Sequence, residues 1–223
     1  TPLTVLAGFL ETLDETPADA VSDEQRAHYL NLMREQANRM QAIISDLLTL
    51  STLESQPQGD GEPLNMTDII RASLDQARAL SAGRHEFKTD IDANLHITGM
   101  ANELTSAISN LINNAVHYTP PPGTITVEWK RKPDGTALFA VTDTGIGVAT
   151  KDIPRLTERF YRVDHSRSRA TGGTGLGLAI TRHVALRHDG ELKVDSRLGA
   201  GSRFSIVFPA RRIVAGLPDA SDA

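Results

Sequence analysis

The apolar residues of the first fifty positions recur at alternating spacings of three and four, and that rhythm limits what this part of the chain can become. Leu3, Leu6, Leu10 and Leu13 lie along one seam of a helix, and Leu30, Met33, Ala37, Met40, Ile44 and Leu47 repeat the pattern further on. Between them, Asp14 to Ser22 holds Pro17, acidic and small residues, so it reads as the loop of a helical hairpin. The second helix is expected from near Asp23 to about Leu53. A lone two-helix hairpin with so continuous a seam buries too little to be stable. Pairing two hairpins into a four-helix bundle removes the difficulty, so a homodimer is expected. The alternative is that the hairpin packs on the rest of its own chain. Val5, Gly8, Phe9 and Thr12 form a second strip on the first helix, read equally as a docking surface for a partner or as packing against the second helix.

Residues 55–63 (SQPQGDGEP) are rich in proline, glycine and polar side chains without periodicity, the composition of a linker. The pattern then changes. Helices fit Thr67–Ser81, with Thr67 as N-cap, and Ala101 to about Tyr118, ended by Pro120-Pro-Pro-Gly123. Strands fit Glu86–Ile91, Leu95–Thr98, Thr124–Lys132, Thr136–Asp143, Glu191–Ser196 and Ser202–Phe208, with Lys132-Pro-Asp-Gly135 as a hairpin turn. A short helix fits Ile153–Arg159, and a longer one runs from near Gly175 to about Arg187. The whole is an α+β chain: an antiparallel helical hairpin (1–54), a linker (55–63), an α/β sandwich with helices on one face of a mixed sheet (64–210), and a disordered tail (211–223).

Composition closes off several function classes. The 223 residues carry a net charge of −5, which gives no basic footprint for nucleic acid. Cysteine is absent, which excludes disulfides, thiolate metal sites and cysteine nucleophiles. No apolar run approaches a membrane span and no signal peptide opens the chain. Starting at Thr1-Pro2 without Met, the sequence reads as a fragment whose membrane anchor would lie upstream.

Three motifs carry the chemistry. Asp143 stands at a strand end before Thr144-Gly145-Ile146-Gly147, where a buried carboxylate can accept from the exocyclic amine of adenine and glycine lets backbone approach a flat base. Read singly, the same residues are an ordinary Asp-Thr-Gly turn. Gly172 to Gly177 is glycine-dense and leads into a helix, so its amides and the helix dipole suit phosphate; no Walker lysine or Rossmann strand accompanies it. Gly173, Thr174, Gly175, Leu176 and Gly177 are the candidate contacts. Asn110 and Asn114, four apart on one helical face, offer hard oxygen ligands for magnesium, and His117 and Tyr118 continue that strip toward ribose and phosphate. Asn113 falls off the face. Together these sites describe a pocket for ATP with Mg²⁺. Between the glycine stretches, Glu158-Arg-Phe-Tyr-Arg162 and the polar run 163–170 read as a lid, anchored by Phe160 and Tyr161, with Arg162 or Arg169 reaching phosphate.

Asn110–Tyr118, Asp143–Gly147, Glu158–Arg162 and Gly172–Leu178 resemble the N, G1, F and G2 boxes of the sensor histidine kinases of two-component systems. The stretch from Arg155 to Asp164, with Ser166-Arg-Ser-Arg169, is similar to the phosphate-regulon group of them. Thr1-Pro2-Leu3 resembles the end of the phosphoacceptor box, His-Glu-x-x-Thr-Pro-Leu. The resemblance spans about residues 1–210. It implies a histidine-phosphotransfer hairpin joined to an ATP-binding domain of the histidine-kinase/gyrase/chaperone type, on the cytoplasmic side of the bacterial inner membrane. It implies that Asp143 binds adenine, that Asn114 with Asn110 holds magnesium, and that Thr1 orients water for dephosphorylating a response regulator. The phosphoacceptor histidine would lie four residues before Thr1, so this chain is expected to bind ATP without phosphorylating itself. A nucleotide-binding scaffold without kinase activity is the alternative.

Overall fold

The computed structural model describes residues 2–15, 22–57, 59, 61–163 and 173–214. Helices α1 (Pro2–Glu15) and α2 (Asp23–Ser55) pack side by side as the expected hairpin. Helix α2 opens on a capping box: Ser22 accepts from the Gln25 amide, and the Gln25 side chain accepts from the Ser22 amide. The hairpin leaves its seam open. Leu3 is 63% exposed and Ile44 55%, with Leu10, Leu30 and Leu47 also exposed. Of the second strip on α1, Phe9 stacks on Tyr29 of α2 at 5.4 Å and so packs within the hairpin, whereas Val5 stays exposed.

The hairpin also packs on the rest of its own chain, through a face distinct from the exposed seam. The C-terminal part of α2 buries Leu50 and Leu53 against the second unit. Arg187 clamps this junction: its guanidinium pairs with Glu103 and donates to the carbonyls of Leu53, Gln56 and Pro57. Those oxygens include the unpaired carbonyls at a helix C-terminus, where a cation is favoured.

The second unit contains β1 (Glu62–Asn65), α3 (Met66–Ser81), β2 (His85–Ile91), β3 (His96–Gly99), α4 (Ala101–Tyr118), β4 (Gly123–Arg131), β5 (Ala137–Asp143), α5 (Gly177–Arg187), β6 (Glu191–Arg197), β7 (Gly201–Phe208) and β8 (Ile213–Val214). Five strands form one sheet in the order β2-β4-β5-β7-β6, with β2 and β4 parallel and the other neighbours antiparallel. Alternation decides its faces: Ile125, Val127 and Trp129 of β4 are buried, as are Phe204, Ile206 and Phe208 of β7. Onto that face α3 presents Ile70, Leu74 and Ala77, and α4 presents Leu104, Ile108, Leu111 and Ala115, each at helical spacing. Trp129 meets Phe208 edge-on at 6.1 Å and its indole N–H donates to the Leu95 carbonyl, so its one polar atom is satisfied.

Four expectations need correction. Asn65, not Thr67, caps α3, its side chain accepting from the Thr67 amide. The short helix shrinks to a 3-10 turn over Ile153–Arg155, its amides bonding three residues back, Leu156 to Ile153 and Glu158 to Arg155. The linker is shorter than 55–63, since β1 starts at Glu62. Disorder does not begin at 211: Ile213–Val214 pairs with β3, which also holds β1, in a second three-stranded sheet. These two edge strands of four and two residues were too short to announce themselves by alternation.

Candidate functional site

The first glycine stretch is fixed by its neighbours on two sides. On one, the Thr144 amide donates to Thr124, and the Ile146 amide to the carbonyl of Tyr118 at the end of α4. On the other, Gly199 donates to Ile146 and the Val148 amide to Ser196 Oγ. The glycines are needed for this approach. A Cβ on Gly145 would lie 2.3 Å from the Tyr118 carbonyl oxygen, and one on Gly147, at φ +64°, would lie 2.0 Å from that of Arg197.

Asp143, at the end of β5, is 6% exposed. Its Oδ1 accepts the Gly145 amide at 2.8 Å. Burial pushes its pKa up from the usual carboxylate range, opposed by the amides of Gly145 and Ser202. A carboxylate offers about four lone-pair sites, so two amide bonds leave capacity for a further donor such as an exocyclic amine. Its surroundings therefore suit adenine.

Helix α4 links the two glycine stretches. Its C-terminal end carries the Tyr118 carbonyl, while two turns earlier Asn110 Nδ2 donates to the Gly177 carbonyl at the start of α5, 3.3 Å away. A Cβ on Gly177 would come within 3.2 Å of Asn110 Oδ1. With its nitrogen engaged, Asn110 keeps an oxygen for a hard cation, and Asn114 lies half-buried one turn on. Among the described residues no group of three or more His, Asp or Glu could hold a metal, so a magnesium ion here would rely on these amide oxygens, on phosphate and on water. The His117 ring bonds to the Asn113 carbonyl; desolvation lowers its pKa, that bond opposes the shift, and the charge of Arg84 adds to it. Arg84 is a neighbour that the motifs did not announce.

The second glycine stretch is held differently. The Phe160 amide donates to the Gly175 carbonyl, and Gly175 at φ +77° packs against the Phe160 backbone. Thr174 accepts from the Leu176 amide and donates to Asp46 of α2 at 2.6 Å. A Cβ on Gly173 would lie 3.7 Å from a terminal nitrogen of Arg162. Burial pulls Arg162 below the usual guanidinium range; Tyr118 opposes that, and the charge of Arg39 on α2 adds to it. Arg162 stays cationic all the same.

Two lid expectations separate. Tyr161 does anchor the segment, its hydroxyl donating to Asp152 at 2.8 Å and its ring lying under Arg155. Phe160 does not: it adopts φ +61° and remains 53% exposed. Helix α5 starts at Gly177 rather than near Gly175, since the left-handed Gly175 cannot join a right-handed helix. Thr1, Arg169 and most of the 163–170 run lie outside the described residues. An open cavity of about 510 Å³ borders Asp143, Thr142, Thr150, Ser196 and Arg203, but Asn110, Asn114 and Gly175 do not line it. It is thus not a space that the three motifs share; what joins them is α4, which bonds to Ile146 through the Tyr118 carbonyl and to Gly177 through Asn110.

Comparison with known proteins agrees with this architecture. Residues 99–212 match the family described as histidine kinase-, DNA gyrase B- and HSP90-like ATPase, and residues 1–56 match the His Kinase A (phospho-acceptor) domain. The phosphate regulon sensor protein PhoR of Pseudomonas aeruginosa is 46% identical over 215 residues, covering 96% of this chain and 48% of that protein. The chain thus spans about half the length of this curated relative. The solved mycobacterial sensor histidine kinase MprB is 31% identical with a TM-score of 0.60, over 68% of this chain and 99% of that one. The Acinetobacter baumannii histidine kinase AdeS shares the fold at 21% identity, with a TM-score of 0.71 over 95% of this chain and 96% of that one. With a phosphoacceptor-type hairpin and an ATPase fold in one polypeptide, the chain belongs to the sensor histidine kinases.

Proposed function

We propose that the hairpin of α1 and α2 serves dimerisation and phosphotransfer, and that the unit from β1 to β8, reached through a linker of a few residues after Ser55, is the catalytic part of a kinase that uses Mg-ATP. Asp143 accepts from the adenine amine. Gly145 and Gly147 let the backbone close on the base, and His117 and Tyr118 border the sugar and phosphates. Gly173, Thr174, Gly175, Leu176 and Gly177, with Arg162 or Arg169, receive the phosphates. A magnesium ion on the amide oxygens of Asn110 and Asn114 would neutralise phosphate charge. The observation that carries this reading is the buried Asp143 carboxylate, with lone-pair capacity to spare beside a backbone that tolerates no Cβ.

The γ-phosphoryl group passes in line to an imidazole nitrogen of a histidine upstream of Thr1, and from there to an aspartate of a response regulator. Such transfer rests on positioning and charge neutralisation. Two hairpins pair through the exposed seam, and the regulator docks near Val5, Gly8, Phe9 and Thr12 of α1. Thr1 orients the water that dephosphorylates the regulator. The similarity to the Pseudomonas protein favours phosphate limitation as the signal. No helix among the described residues is long and apolar enough to cross a membrane; attachment to the inner membrane, with this portion on the cytoplasmic side, rests on upstream segments.

Titration of Mg-ATP into Asp143→Asn tests the site. Loss of a charge-assisted bond of about 1.5–3 kcal/mol lowers affinity on the order of 10- to 100-fold, and an unchanged affinity removes the adenine assignment. In a chain extended upstream through the acceptor histidine, acid-labile, base-stable phosphorylation separates a kinase from a nucleotide-binding scaffold. In that same chain, Thr1→Ala should slow phospho-regulator hydrolysis while phosphorylation of the histidine persists.

A further inference from the structure

Helix α2 meets the second glycine stretch with a face that the functional reading leaves unused. Asp46 on this face takes the Thr174 hydroxyl, which pins the loop against the hairpin. Arg39 stands seven residues earlier, about 10.5 Å along the axis and within about 20° of the same direction. Gly173 precedes the pinned Thr174, and its position for a Cβ is 3.7 Å from a terminal nitrogen of Arg162. Arg39 thus shares a face of α2 with the residue that pins the loop, and its charge is felt by Arg162 at the start of that loop.

Arg39 is an unusual arginine for a helix surface. Its Nε is fully covered and has no hydrogen-bond partner. Glu35 lies one turn before it, the ordinary spacing for a helical ion pair, yet the two form none. A covered N–H without an acceptor costs about 1–3 kcal/mol, and a second cation close by raises that cost. An anion between the two groups relieves their mutual repulsion and takes the terminal N–H groups of the Arg39 fork. Arginine suits that task because its planar fork matches phosphate oxygens.

We propose that Arg39 of α2 and Arg162 together grip the terminal phosphoryl group of a nucleoside triphosphate, so that the hairpin itself contributes a binding residue to the nucleotide site. The inference rests on the ATP reading of that site. Thr174 and Asp46 set the spacing by holding the loop against α2. A diphosphate lacks the group the pair would grip, so Arg39 reads the length of the phosphate chain, whereas Asp143 reads the base.

The test is calorimetric titration of Mg-ADP and of a non-hydrolysable Mg-bound triphosphate analogue into the full chain. In Arg39→Gln, affinity for the triphosphate analogue falls about tenfold, the size of one charge-assisted contact, while that for ADP changes by less than about twofold. Arg39→Lys keeps the charge without the fork and falls between Arg39→Gln and the parent. It also decides the matter should Arg39→Gln fail to fold. A triphosphate-to-diphosphate affinity ratio equal to the parent's in the folded variants overturns the proposal, as does an equal loss for both nucleotides. Asp143→Asn in the same assay weakens both nucleotides together. If it leaves both unchanged, the ATP reading fails independently of Arg39.

Discussion

The two glycine stretches look alike in sequence and are held in opposite ways. Around 143–147, backbone meets backbone: Thr124, Tyr118 and Gly199 are all joined to the loop by main-chain bonds. Around 173–177, side chains carry most of the attachment. Thr174 reaches Asp46 on another helix, Asn110 reaches Gly177, and the Phe160 amide to Gly175 is the main-chain link. A base has one shape, and a frame built before it arrives suits it. On the proposed reading the second stretch meets a phosphate tail that changes length in the reaction, and a loop held by exchangeable side-chain bonds can answer that change.

The sharpest way to break this comparison is at Gly147. An alanine there meets a carbonyl oxygen at 2.0 Å in left-handed backbone, and unfolding in denaturant should show a loss of about 3–5 kcal/mol. Gly199 has a similar φ of +79° but open space around it, so Gly199→Ala should cost only about 1–2 kcal/mol. Comparable losses at the two sites would contradict a frame tightened by close backbone approach.

A pH titration probes the packing beneath. His188 is buried: its Nδ1 donates to the Val184 carbonyl and its Nε2 accepts the Met100 amide at the start of α4. Burial lowers its pKa, against the bond to Val184 and the charge of Glu103. Protonation would remove the acceptor for Met100. Because the folded-state pKa lies below the unfolded value, the contribution is complete above about pH 6.5 and is lost as pH falls below it. His117 shifts in the same direction, so the comparison needs His188→Gln, which keeps an acceptor without titrating. The melting temperature of this variant should fall less between pH 7 and 5 than that of the parent. The smallest expected effect is Thr174→Val, which deletes two half-buried bonds, to Asp46 and from the Leu176 amide, and should cost about 1 kcal/mol. A larger loss would mean that the second stretch is as firmly built as the first.

Much of this could be read in the sequence, for physical reasons. The helices announced themselves by periodicity, and Ala101–Tyr118 was expected where α4 lies because proline follows it. The motif residues stand out because asparagine is a poor choice inside a helix, and because dense glycine marks backbone that passes close to something else, as Gly145 and Gly147 do. What escaped was long-range. Nothing near Asp46 in sequence points to Thr174, 128 positions away, nor near Arg187 to the end of α2. Asn65 lost to Thr67 as the expected cap because a two-residue shift leaves the hydrophobic pattern unchanged.

Arg187 ties the final turn of α5 to the tail of α2, and the first residue of α5 is the Gly177 whose carbonyl Asn110 holds. Eleven helical residues, about 16 Å of stiff rod, separate those attachments. A twist arriving down the long hairpin helix would therefore be delivered as a push at the loop, with no need for the intervening sheet to deform. The signal and the chemistry would share one short axle.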